Sequence, residues 1–374
     1  MKFMHVADVA YPHIGGVEYV VYRYSKMQTE EGHSAVVVSS LMKGVPRRES
    51  MEGVEYIRLS KASLAISVPR MVKKMKPDLV HTHSYISALS LSFLWRINPR
   101  IPILRHIHDI YIGKLEEYSG WGAAGVYKNV EKILVKLKYT GYIVPSRYTK
   151  NMLIKIGLSA DEINIVHPGV DINKFGKSNG KYVRKKHGIP EEKKIIGFVG
   201  RLSTGKGPQY LINAAKDLDA YVILVGPNPD PRTSGIVGIR EYLERKVREY
   251  GMKRRVIFAG KVKEYELPLY YDSFDIFCLP SLSEGFGMSI AEALAAGKPV
   301  VSFRTAAIPE IVKHGYNGLL AEVKNVDELR EHLRALLTDE NLYGKLSSNA
   351  RKSVEKYSWE NSYRSLMSTY ARYL

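Results

Sequence analysis

The sequence predicts an α/β protein made of two doubly wound, Rossmann-like domains. Three observations lead to this prediction. Short apolar runs alternate with helical patterns along the whole chain, which is typical of parallel sheets covered by helices on both faces. A polar stretch with three glycines and one proline, residues 171–192, interrupts this alternation once. The chain has 374 residues, enough for two domains of about 150–200 residues each.

Each half of the chain supplies the strands and helices of one domain. Candidate strands of the first half are Lys2–Asp8, Ala35–Ser39, Val54–Leu59, Leu79–His83, Ile103–Ile107, Gly141–Pro145 and Ile163–His167. Helical patterns between them cover Val17–Glu31, Leu64–Lys76, Ile86–Ile97, Gly125–Tyr139 and Arg147–Ile156. In the second half we expect strands at Ile195–Gly200, Tyr221–Val225, Val256–Ala259, Phe274–Leu279, Pro299–Ser302 and Gly318–Ala321. The expected helices are Pro208–Leu218, Ile239–Tyr250, Leu267–Tyr271, Gly287–Ala296, Val326–Thr338, Glu340–Lys356 and Trp359–Tyr373.

Composition and charge exclude some classes of protein. Hydrophobic residues make up 45% of the chain and charged residues 25%, as in soluble globular proteins. The start of the chain lacks a secretory pattern, and no apolar run reaches the ~18–20 residues of a membrane span. The single cysteine, Cys278, cannot form a disulfide within the chain, which indicates a reducing compartment. The net charge of +18 favours an anionic partner such as nucleic acid, lipid headgroups or a phosphorylated substrate.

The most informative stretch covers residues 281–293. An apolar run leads into it, so the pattern predicts a buried strand, a glycine turn and a helix. Gly285 and Gly287 would let a ligand approach the backbone, and the first N–H groups of the helix would form an anion site. Glu284 in the turn and Glu292 in the helix can accept hydrogen bonds from sugar hydroxyls. The arrangement fits a diphosphate between two hydroxyl-bearing sugars; a turn with two solvated glutamates is the alternative.

A second phosphate-binding candidate follows the first strand of the second half. Gly200 to Lys206 fit G-x-x-x-x-G-K, the start of a P-loop, but Gly207 stands where a P-loop needs serine or threonine to hold magnesium. This departure argues against an ATPase or a kinase. The guanidinium of Arg201 can still donate two hydrogen bonds to phosphate oxygens, and Lys206 can add a positive charge. The two bases could neutralise the charge of a departing diphosphate without a metal. The alternative is that they are two exposed bases in a surface loop.

Two strand ends of the first half carry histidine pairs, at 81–83 and at 106–108. Residues at i and i+2 of a strand share a face, so each pair could chelate a metal. No carboxylate cluster follows, so structural hydrogen bonds are the favoured role, and His108 is the member best suited to bond a ligand. The D-x-D at 217–219 falls at a predicted helix end, away from the strand ends, and is not expected to bind a metal.

Two further patterns concern ligand approach and membrane binding. Gly15 and Gly16 end the first strand-to-helix loop and let a backbone approach a ligand, with a purely structural turn as the alternative. The predicted helix Gly125–Tyr139 either lies on an anionic membrane or presents a solvated lysine face. Its lysine stripe consists of Lys128, Lys132 and Lys136. The same two interpretations, membrane binding and a solvated face, apply to Lys73, Lys74 and Lys76.

Taken together, these residues resemble the retaining, nucleotide-sugar-dependent glycosyltransferases of family 4, which have the GT-B fold. The resemblance covers nearly the whole chain. In the first half it rests on Gly-Gly-x-Glu at 15–18, Pro-Asp-Leu-Val-His-Thr-His at 77–83 and His-x-His-Asp at 106–109. It continues with His-Pro-Gly-Val-Asp at 167–171, Val-Gly-Arg-Leu at 199–202 with Lys206-Gly207, Glu-x7-Glu at 284–292, Ile-Pro-Glu-Ile-Val at 308–312 and the Trp359 helix. The ordered set is much more specific than any of its members.

The resemblance implies two Rossmann-like domains that face each other across a cleft. We expect an acceptor-side domain over residues 1–172 and a nucleotide-sugar-binding domain over residues 173–356. A crossover helix over residues 357–374 would pack on the first domain. The family often has Gly-Gly before Ile-Pro-Glu, where this chain has Ala306-Ala307. This departure bears on any backbone contact from that loop to the ligand.

The resemblance also implies a role for each site residue. Arg201 and Lys206 are similar to the pair that holds the donor diphosphate. The backbone groups of Gly16, Phe286, Gly287 and Met288 would complete the diphosphate cradle, and Gly15 is a further donor-binding residue. Glu292 is similar to the residue that accepts from the ribose hydroxyls, and Glu284 to the one that contacts the transferred sugar. His108 is similar to the histidine that bonds the donor sugar, and Val262 stands where the family's backbone contacts the base.

The resemblance thus implies a retaining hexosyltransferase that moves a sugar from a UDP- or GDP-linked donor to a glycan or lipid-linked acceptor hydroxyl. The catalytic residues would be His108, Arg201, Lys206 and Glu284, with no metal and no cofactor besides the nucleotide-sugar co-substrate. An anionic membrane surface is a further expected partner, specific nucleic acid is not, and the expected location is the cytoplasm, at the cytoplasmic membrane face. The alternatives are a sugar-nucleotide epimerase of the same architecture, a metallohydrolase built on the histidine pairs and a non-enzymatic polyanion-binding protein.

Overall fold

The computed structural model of the protein describes residues 1–13, 15–110, 131, 133–178, 180–229 and 238–374. Within these residues the chain forms two units. The first contains the described parts of 1–112, 128–169 and 359–374, and the second contains those of 170–358. Each unit is built on its own sheet of almost entirely parallel strands. The predicted class, two doubly wound α/β domains, is therefore confirmed.

The first unit is built on an eight-stranded sheet with the order β3-β4-β2-β1-β5-β6-β7-β8. Its strands are β1 (Lys2–Val6), β2 (Ser34–Ser40), β3 (Arg48–Met51), β4 (Val54–Leu59), β5 (Leu79–Thr82), β6 (Ile103–His106), β7 (Gly141–Val144) and β8 (Ile163–Ile165). Its helices include α1 (Gly16–Glu30), α2 (Lys61–Met75), α3 (Ala88–Ile97), α4 (Arg147–Ile156) and, from the end of the chain, α13 (Trp359–Tyr370). All neighbouring strands are parallel except β3 and β4.

The sequence pattern does not predict β3, which lies at the edge of this sheet. Its residues, Arg-Glu-Ser-Met, are alternately exposed and half-buried, and it pairs antiparallel with β4. A strand held by hydrogen bonds to one neighbour, with little burial, leaves no apolar periodicity in the sequence. Such an edge strand is found from its pairing and not from its composition.

The second unit is built on a six-stranded parallel sheet with the order β11-β10-β9-β12-β13-β14. Its strands are β9 (Lys194–Val199), β10 (Ala220–Val225), β11 (Val256–Gly260), β12 (Ile276–Leu279), β13 (Val300–Phe303) and β14 (Gly318–Ala321). Its helices include α5 (Lys181–His187), α6 (Pro208–Ala215), α7 (Arg240–Glu249), α8 (Leu267–Ser273), α9 (Met288–Ala295), α10 (Ile308–Ile311), α11 (Val326–Thr338) and α12 (Glu340–Val354). Counted within the unit, the order is 3-2-1-4-5-6, that of the dinucleotide-binding sheets.

The polar stretch at 171–192 is folded into the second unit. The carboxylate of Asp272 accepts hydrogen bonds of 2.7–3.2 Å from three successive backbone N–H groups, those of residues 176–178. The helix α5 follows, between Gly180 and Gly188, which both have positive φ. Its only buried residue is Val183, so the segment has no amphipathic pattern that would predict a helix.

The end of the chain completes the first unit. The helix α13 buries Trp359, Tyr363, Leu366 and Tyr370. A Cβ at Gly169 would lie 2.4 Å from the Trp359 ring, so the helix needs a glycine at this point of the first unit. In the second unit, Cys278 is buried in β12, and burial raises the pKa of its thiol. Among the described residues, none of the helices combines the length and the apolar character needed to span a bilayer.

Candidate functional site

The loops after β9 and β12 lie at the point where the strand order of the second sheet reverses. These two strands are neighbours, but the chain continues from β9 to β10 on one side and from β12 to β13 on the other. The loops therefore diverge and leave a crevice at the carboxyl edge, where doubly wound sheets bind their ligands. The loop after β9 carries Arg201 and Lys206, and the loop after β12 carries Glu284.

The two loops are held together by a close backbone contact. Gly207 has a φ of 76°, and a Cβ at this residue would lie 1.9 Å from the carbonyl oxygen of Pro280. The N–H of Leu282 donates a hydrogen bond of 2.9 Å to the carbonyl of Gly205. Gly207 is the residue that departs from the P-loop pattern. The structure gives the physical reason, since any side chain there would push the two loops apart.

Lys206 and Glu284 form an ion pair across these loops. The Lys206 Nζ lies 2.7 Å and 2.8 Å from the two carboxylate oxygens of Glu284. The Ser281 hydroxyl donates to the Oε1 of Glu284 at 2.7 Å. Glu284 is buried and Lys206 half-buried, so water screens the pair only weakly. An ammonium group has three N–H donors, so Lys206 can keep this carboxylate and still donate to an anion.

Arg201 and the first turn of α9 offer further groups to an anion. Arg201 is exposed, and within the described residues its guanidinium makes no hydrogen bond or ion pair. The helix α9 begins after Gly287, whose φ is 100°, and no side chain caps its first turn. A helix start presents N–H groups without intrahelical partners and a partial positive charge. These groups follow β9 and β12, so they belong to the same carboxyl edge of the sheet as Lys206.

Glu292 has a separate environment on α9. The hydroxyl of Tyr271 donates to its Oε2 at 2.7 Å. Burial raises the pKa of Glu292 to about 7, and the hydrogen bond from Tyr271 offsets part of that rise. The charge of this carboxyl therefore changes in the neutral pH range. Its capacity to accept hydrogen bonds from hydroxyl groups changes with it.

The remaining predicted residues of this unit also lie at the carboxyl edge. Val262 follows β11 and is half-buried against the core. Phe286 is buried, and its ring contacts Tyr357 edge-on with centroids 5.2 Å apart. In the loop after β13, Ala306 has a φ of 48°, a conformation that favours glycine. The next residue, Ala307, donates its N–H to the carbonyl of Glu284 at 3.2 Å. This loop thus keeps the glycine-like backbone and supports Glu284.

In the first unit, Gly15 and Gly16 stand at the start of α1. Gly15 precedes the helix, and Gly16 is its exposed first residue. A Cβ at Gly15 would lie 2.3 Å from the Oε2 of Glu18, whose side chain folds back over the turn. The Oε1 of Glu18 lies 3.4 Å from the Nδ1 of His13. The absence of a side chain at Gly15 thus makes room for Glu18.

Five histidines pack together where the strand order of the first sheet reverses, beside β1, β5 and β6. They are His5, His81, His83, His106 and His108. Centroids of neighbouring rings lie 3.9–5.9 Å apart. Burial lowers the pKa of all five, to about 4 for His5 and about 3 for His108, so the rings are neutral at neutral pH. We call this group the histidine cluster.

The histidine cluster contains five buried ring nitrogens without a hydrogen-bond partner. They are Nδ1 of His5, Nε2 of His81, Nε2 of His83, and Nδ1 and Nε2 of His106. A buried polar nitrogen that stays unpaired costs about 1–3 kcal/mol of stability. His108 is half-buried, and its Nε2 bonds to the Nδ1 of His83 at 2.8 Å. His108 is predicted to bond the donor sugar. It would do so as a neutral imidazole, and one of its two ring nitrogens already bonds to His83.

Sequence patterns miss three residues that position the predicted ones. Ser281 holds Glu284, Tyr271 holds Glu292, and His5 packs against both rings of the histidine pair at 81–83. Ser281 lies three residues before Glu284, so a hydroxyl at that spacing from a carboxylate is a usable local signal. Tyr271 and His5 lie far along the chain from their partners. Strand order alone brings them together, so no local pattern could find them.

Two protein families match the chain. The family described as Glycosyltransferase Family 4 matches residues 14–174. The family described as Glycosyl transferases group 1 matches residues 181–353. The first match covers every strand of the eight-stranded sheet except β1. The second covers every strand of the six-stranded sheet and both loops of the crevice.

Individual relatives agree with these matches. An uncharacterised glycosyltransferase of Methanocaldococcus jannaschii is 29% identical over 356 residues, which cover 88% of this chain and 87% of the relative. A D-inositol 3-phosphate glycosyltransferase of Corynebacterium glutamicum is 27% identical over 314 residues, 80% of this chain and 73% of the relative. The crystal structure of Anabaena HepE in complex with UDP and glucose has a TM-score of 0.82 at 22% identity, over 99% of both chains. This last likeness is one of fold.

Proposed function

We propose a reaction for this chain from the premise that it belongs to glycosyltransferase family 4 and has the GT-B fold. In this proposal the protein is a retaining hexosyltransferase. It takes a hexose from a UDP- or GDP-linked sugar and moves it to a hydroxyl of a glycan or lipid-linked acceptor. The diphosphate of the donor binds in the crevice of the second unit, and no metal ion takes part in the transfer.

The observation that carries this proposal is the ion pair between Lys206 and Glu284. It places a base and an acid side by side at the carboxyl edge, the base for phosphate oxygens and the acid for sugar hydroxyls. A purely structural ion pair would account for these two residues. It would not account for the exposed Arg201 in the same loop or for the uncapped start of α9. All of these groups suit an anion with hydroxylated neighbours.

The proposed transfer breaks the bond between the anomeric carbon of the hexose and the diphosphate oxygen. The bond to the acceptor oxygen forms on the same face of the sugar, which gives retention. The nucleoside diphosphate leaves with both electrons of the broken bond, and the acceptor proton passes to it. Arg201, Lys206 and the first N–H groups of α9 stabilise the charge of this leaving group, which is where such sites gain most of their rate. The role of His108 towards the sugar stays a prediction.

Glu292 should make the affinity for the donor depend on pH. We assign it to the ribose hydroxyls, which donate to the ionised carboxylate. The pKa of Glu292 in the free protein is about 7. At neutral pH only part of the protein therefore carries the ionised carboxylate to which the donor binds. Donor affinity is expected to be highest above pH 7 and to fall roughly tenfold per pH unit well below it. Calorimetric titration with a nucleotide sugar, whose diphosphate does not titrate in this range, measures the effect between pH 5.5 and 8.5.

Two variants separate Glu292 from other acids near it. Glu292→Gln should bind the donor weakly and without this pH dependence. Glu264→Gln removes a half-buried acid whose charge contributes to the raised pKa of Glu292, so the pH profile should keep its shape and move to a slightly lower pH. A wild-type affinity that does not change between pH 5.5 and 8.5 would contradict the assignment of Glu292.

We also propose that the acceptor is presented at an anionic membrane surface. Lys128 and Lys132 of the predicted basic helix lie outside the described residues. The described part of the first unit offers another surface, on α2 and α3, which pack together. Leu89, Phe93 and Ile97 follow one face of α3 with 60%, 64% and 54% of their surfaces exposed. Exposed bases of these two helices and of the residues just after α3 are Arg70, Lys73, Lys74, Arg96 and Arg100. An apolar stripe beside bases suits the interface of an anionic bilayer.

Vesicle flotation tests this surface. We expect the protein to float with phosphatidylglycerol-containing vesicles and to stay in the dense fraction with phosphatidylcholine alone. The double variant Leu89→Asp/Phe93→Asp should bind at least about tenfold more weakly, because two large apolar side chains no longer enter the interface. Val323→Asp changes an exposed apolar residue of the second unit and should float like the wild type. Equal flotation of the double variant and the wild type would contradict the proposed surface.

A donor panel tests the proposed function itself. Nucleotide sugars that bind the folded chain raise its melting temperature, so a thermal-shift panel of UDP- and GDP-linked hexoses identifies the donor. UDP-glucose is the first member, because the Anabaena neighbour was crystallised with UDP and glucose. Mass spectrometry of the products then separates transfer from epimerisation, which changes the sugar without an acceptor. A panel without any shift, together with no transfer product, would overturn the proposal.

A further inference from the structure

We propose that His5, His81 and His83 form a binding site for a divalent transition-metal ion of the zinc class in the first unit. The proposal concerns the histidine cluster alone and does not depend on the reaction proposed above. In that reaction no metal takes part. The ion proposed here has a structural role within the first sheet.

The three rings come from two adjacent strands. His5 on β1 is the register partner of His81 on β5, and His83 lies two residues further, on the same face as His81. One ring nitrogen from each of the three lies within 4.8 Å of those of the other two. Tetrahedral zinc, with bonds of about 2.0–2.1 Å to nitrogen, needs ligand nitrogens about 3.3–3.4 Å apart. We expect rotations of the three rings on binding to close this difference.

Each of the three rings has one engaged and one unpaired nitrogen. The engaged pairs are Nε2 of His5 with Oε1 of Gln28 (2.9 Å), Nδ1 of His81 with the hydroxyl of Tyr370 (2.6 Å) and Nδ1 of His83 with Nε2 of His108 (2.8 Å). The opposite nitrogen of each ring is buried without a hydrogen-bond partner. A histidine that binds a metal usually donates its other N–H to such a partner, which fixes the tautomer and the ring orientation.

A metal ion satisfies this set of nitrogens better than water does. With each engaged nitrogen as a donor, the three opposite nitrogens are all lone-pair acceptors. A water molecule can donate only two hydrogen bonds, so one water leaves an acceptor unpaired. A cation binds all three. Neutral imidazoles without a carboxylate select zinc, cobalt, nickel or copper over magnesium or calcium.

The histidine cluster contains a second candidate set that is less suitable. His83, His106 and His108 also bring one ring nitrogen each within 4.8 Å of the others. The rings of His106 and His108 are stacked at 3.9 Å with only 12° between their planes. Lone pairs lie in the ring planes, so this pair converges on one ion less readily than any pair of the first set, whose rings are 23–51° apart in plane and 4.2–5.9 Å apart in centroid. His106, whose two nitrogens are unpaired, is better placed as a further ligand or as a neighbour of the ion.

Cobalt and zinc titrations test the site. The full chain, without a polyhistidine tag, is treated with a chelator, transferred to metal-free buffer and titrated with Co²⁺. We expect about one Co²⁺ per chain, with the visible absorption of a tetrahedral site, and loss of that absorption when Zn²⁺ is added. Zn²⁺ should also raise the melting temperature of the chelator-treated protein by about 5 °C or more, since the ion binds the folded state.

Variants assign the ion to these three residues. His83→Gln should abolish the cobalt absorption, and Tyr370→Phe, which removes the hydroxyl that bonds to His81, should bind about tenfold to a hundredfold more weakly. His13→Gln removes an exposed histidine outside the cluster and should bind as the wild type does. Circular dichroism checks that each variant is folded, and the wild-type titration decides the proposal even if a variant is not. No cobalt absorption in the wild type, or equal absorption in a folded His83→Gln, would overturn it.

Discussion

Replacing both Arg201 and Lys206 by alanine is expected to lower the rate of sugar transfer by at least about 10³-fold. Removing one group that stabilises charge in a transition state costs about 10²–10³ in rate, and this double variant removes two. The loss should appear mainly in kcat, because the charge on the diphosphate grows as the bond to the sugar breaks. Transfer of labelled hexose from the donor found in the panel measures it.

Two further variants separate the loss of charge from the loss of fold. Lys206→Ala leaves the buried Glu284 with only Ser281 as a partner, so it should also lower the free energy of unfolding, by about 1–3 kcal/mol. Lys206→Ala/Glu284→Gln should recover stability and stay inactive. As a matched change of charge, Lys193→Ala/Arg248→Ala removes two other bases of the second unit and should keep full activity. Full activity in the Arg201/Lys206 double variant would contradict the diphosphate role.

Replacing Gly207 by alanine is expected to cost about 2–5 kcal/mol of stability and most of the activity. The new Cβ would lie 1.9 Å from the carbonyl oxygen of Pro280, a backbone atom that can move only with its loop. Overpacking of this kind costs about 1–3 kcal/mol, and the positive φ of 76° adds about 1–2 kcal/mol for a residue with a side chain. The loops that carry Lys206 and Glu284 must separate, and a displacement of about 1 Å can cost about 100-fold in rate.

The matched control for this prediction is Gly188→Ala. Gly188 has a similar φ of 64°, but nothing lies within 4 Å of a Cβ built there. It should therefore lose only the conformational part, about 1–2 kcal/mol, and keep its activity. Thermal melts and transfer assays of both variants measure the difference. Equal melting temperatures for the two variants would show that the contact between the loops is not tight.

More of the second unit than of the first could be predicted from the sequence. Its strands are buried apolar runs with glycine-rich turns, so strand positions, the crevice loops and the start of α9 follow from local patterns. The edge strand β3 and the helix α5 could not be predicted, because pairing with β4 stabilises the strand and packing against α8 stabilises the helix, and apolar periodicity stabilises neither. In both cases the stabilising partner lies outside the segment that it stabilises.

The same limit applies to the candidate site. The pattern at 284–292 predicts two acids around an anion site, and the structure gives them different environments: Glu284 bonds to Lys206, and Glu292 bonds to Tyr271. Gly207 counts in sequence only as a departure from the P-loop, whereas in the structure it is required by Pro280. These facts depend on which strands are neighbours in the sheet, and a single sequence does not contain that order as a local signal.

The position of α13 has a consequence for biosynthesis. Its residues Ser362 and Tyr370 hydrogen-bond to Tyr24 and His81, at 2.7 Å and 2.6 Å, inside the unit formed by the beginning of the chain. A ribosome therefore makes all of residues 170–358 before it releases the last helix of the part that it made first. During synthesis the amino-terminal half therefore lacks its last helix until the chain is finished. The carboxyl-terminal half can already fold as it emerges.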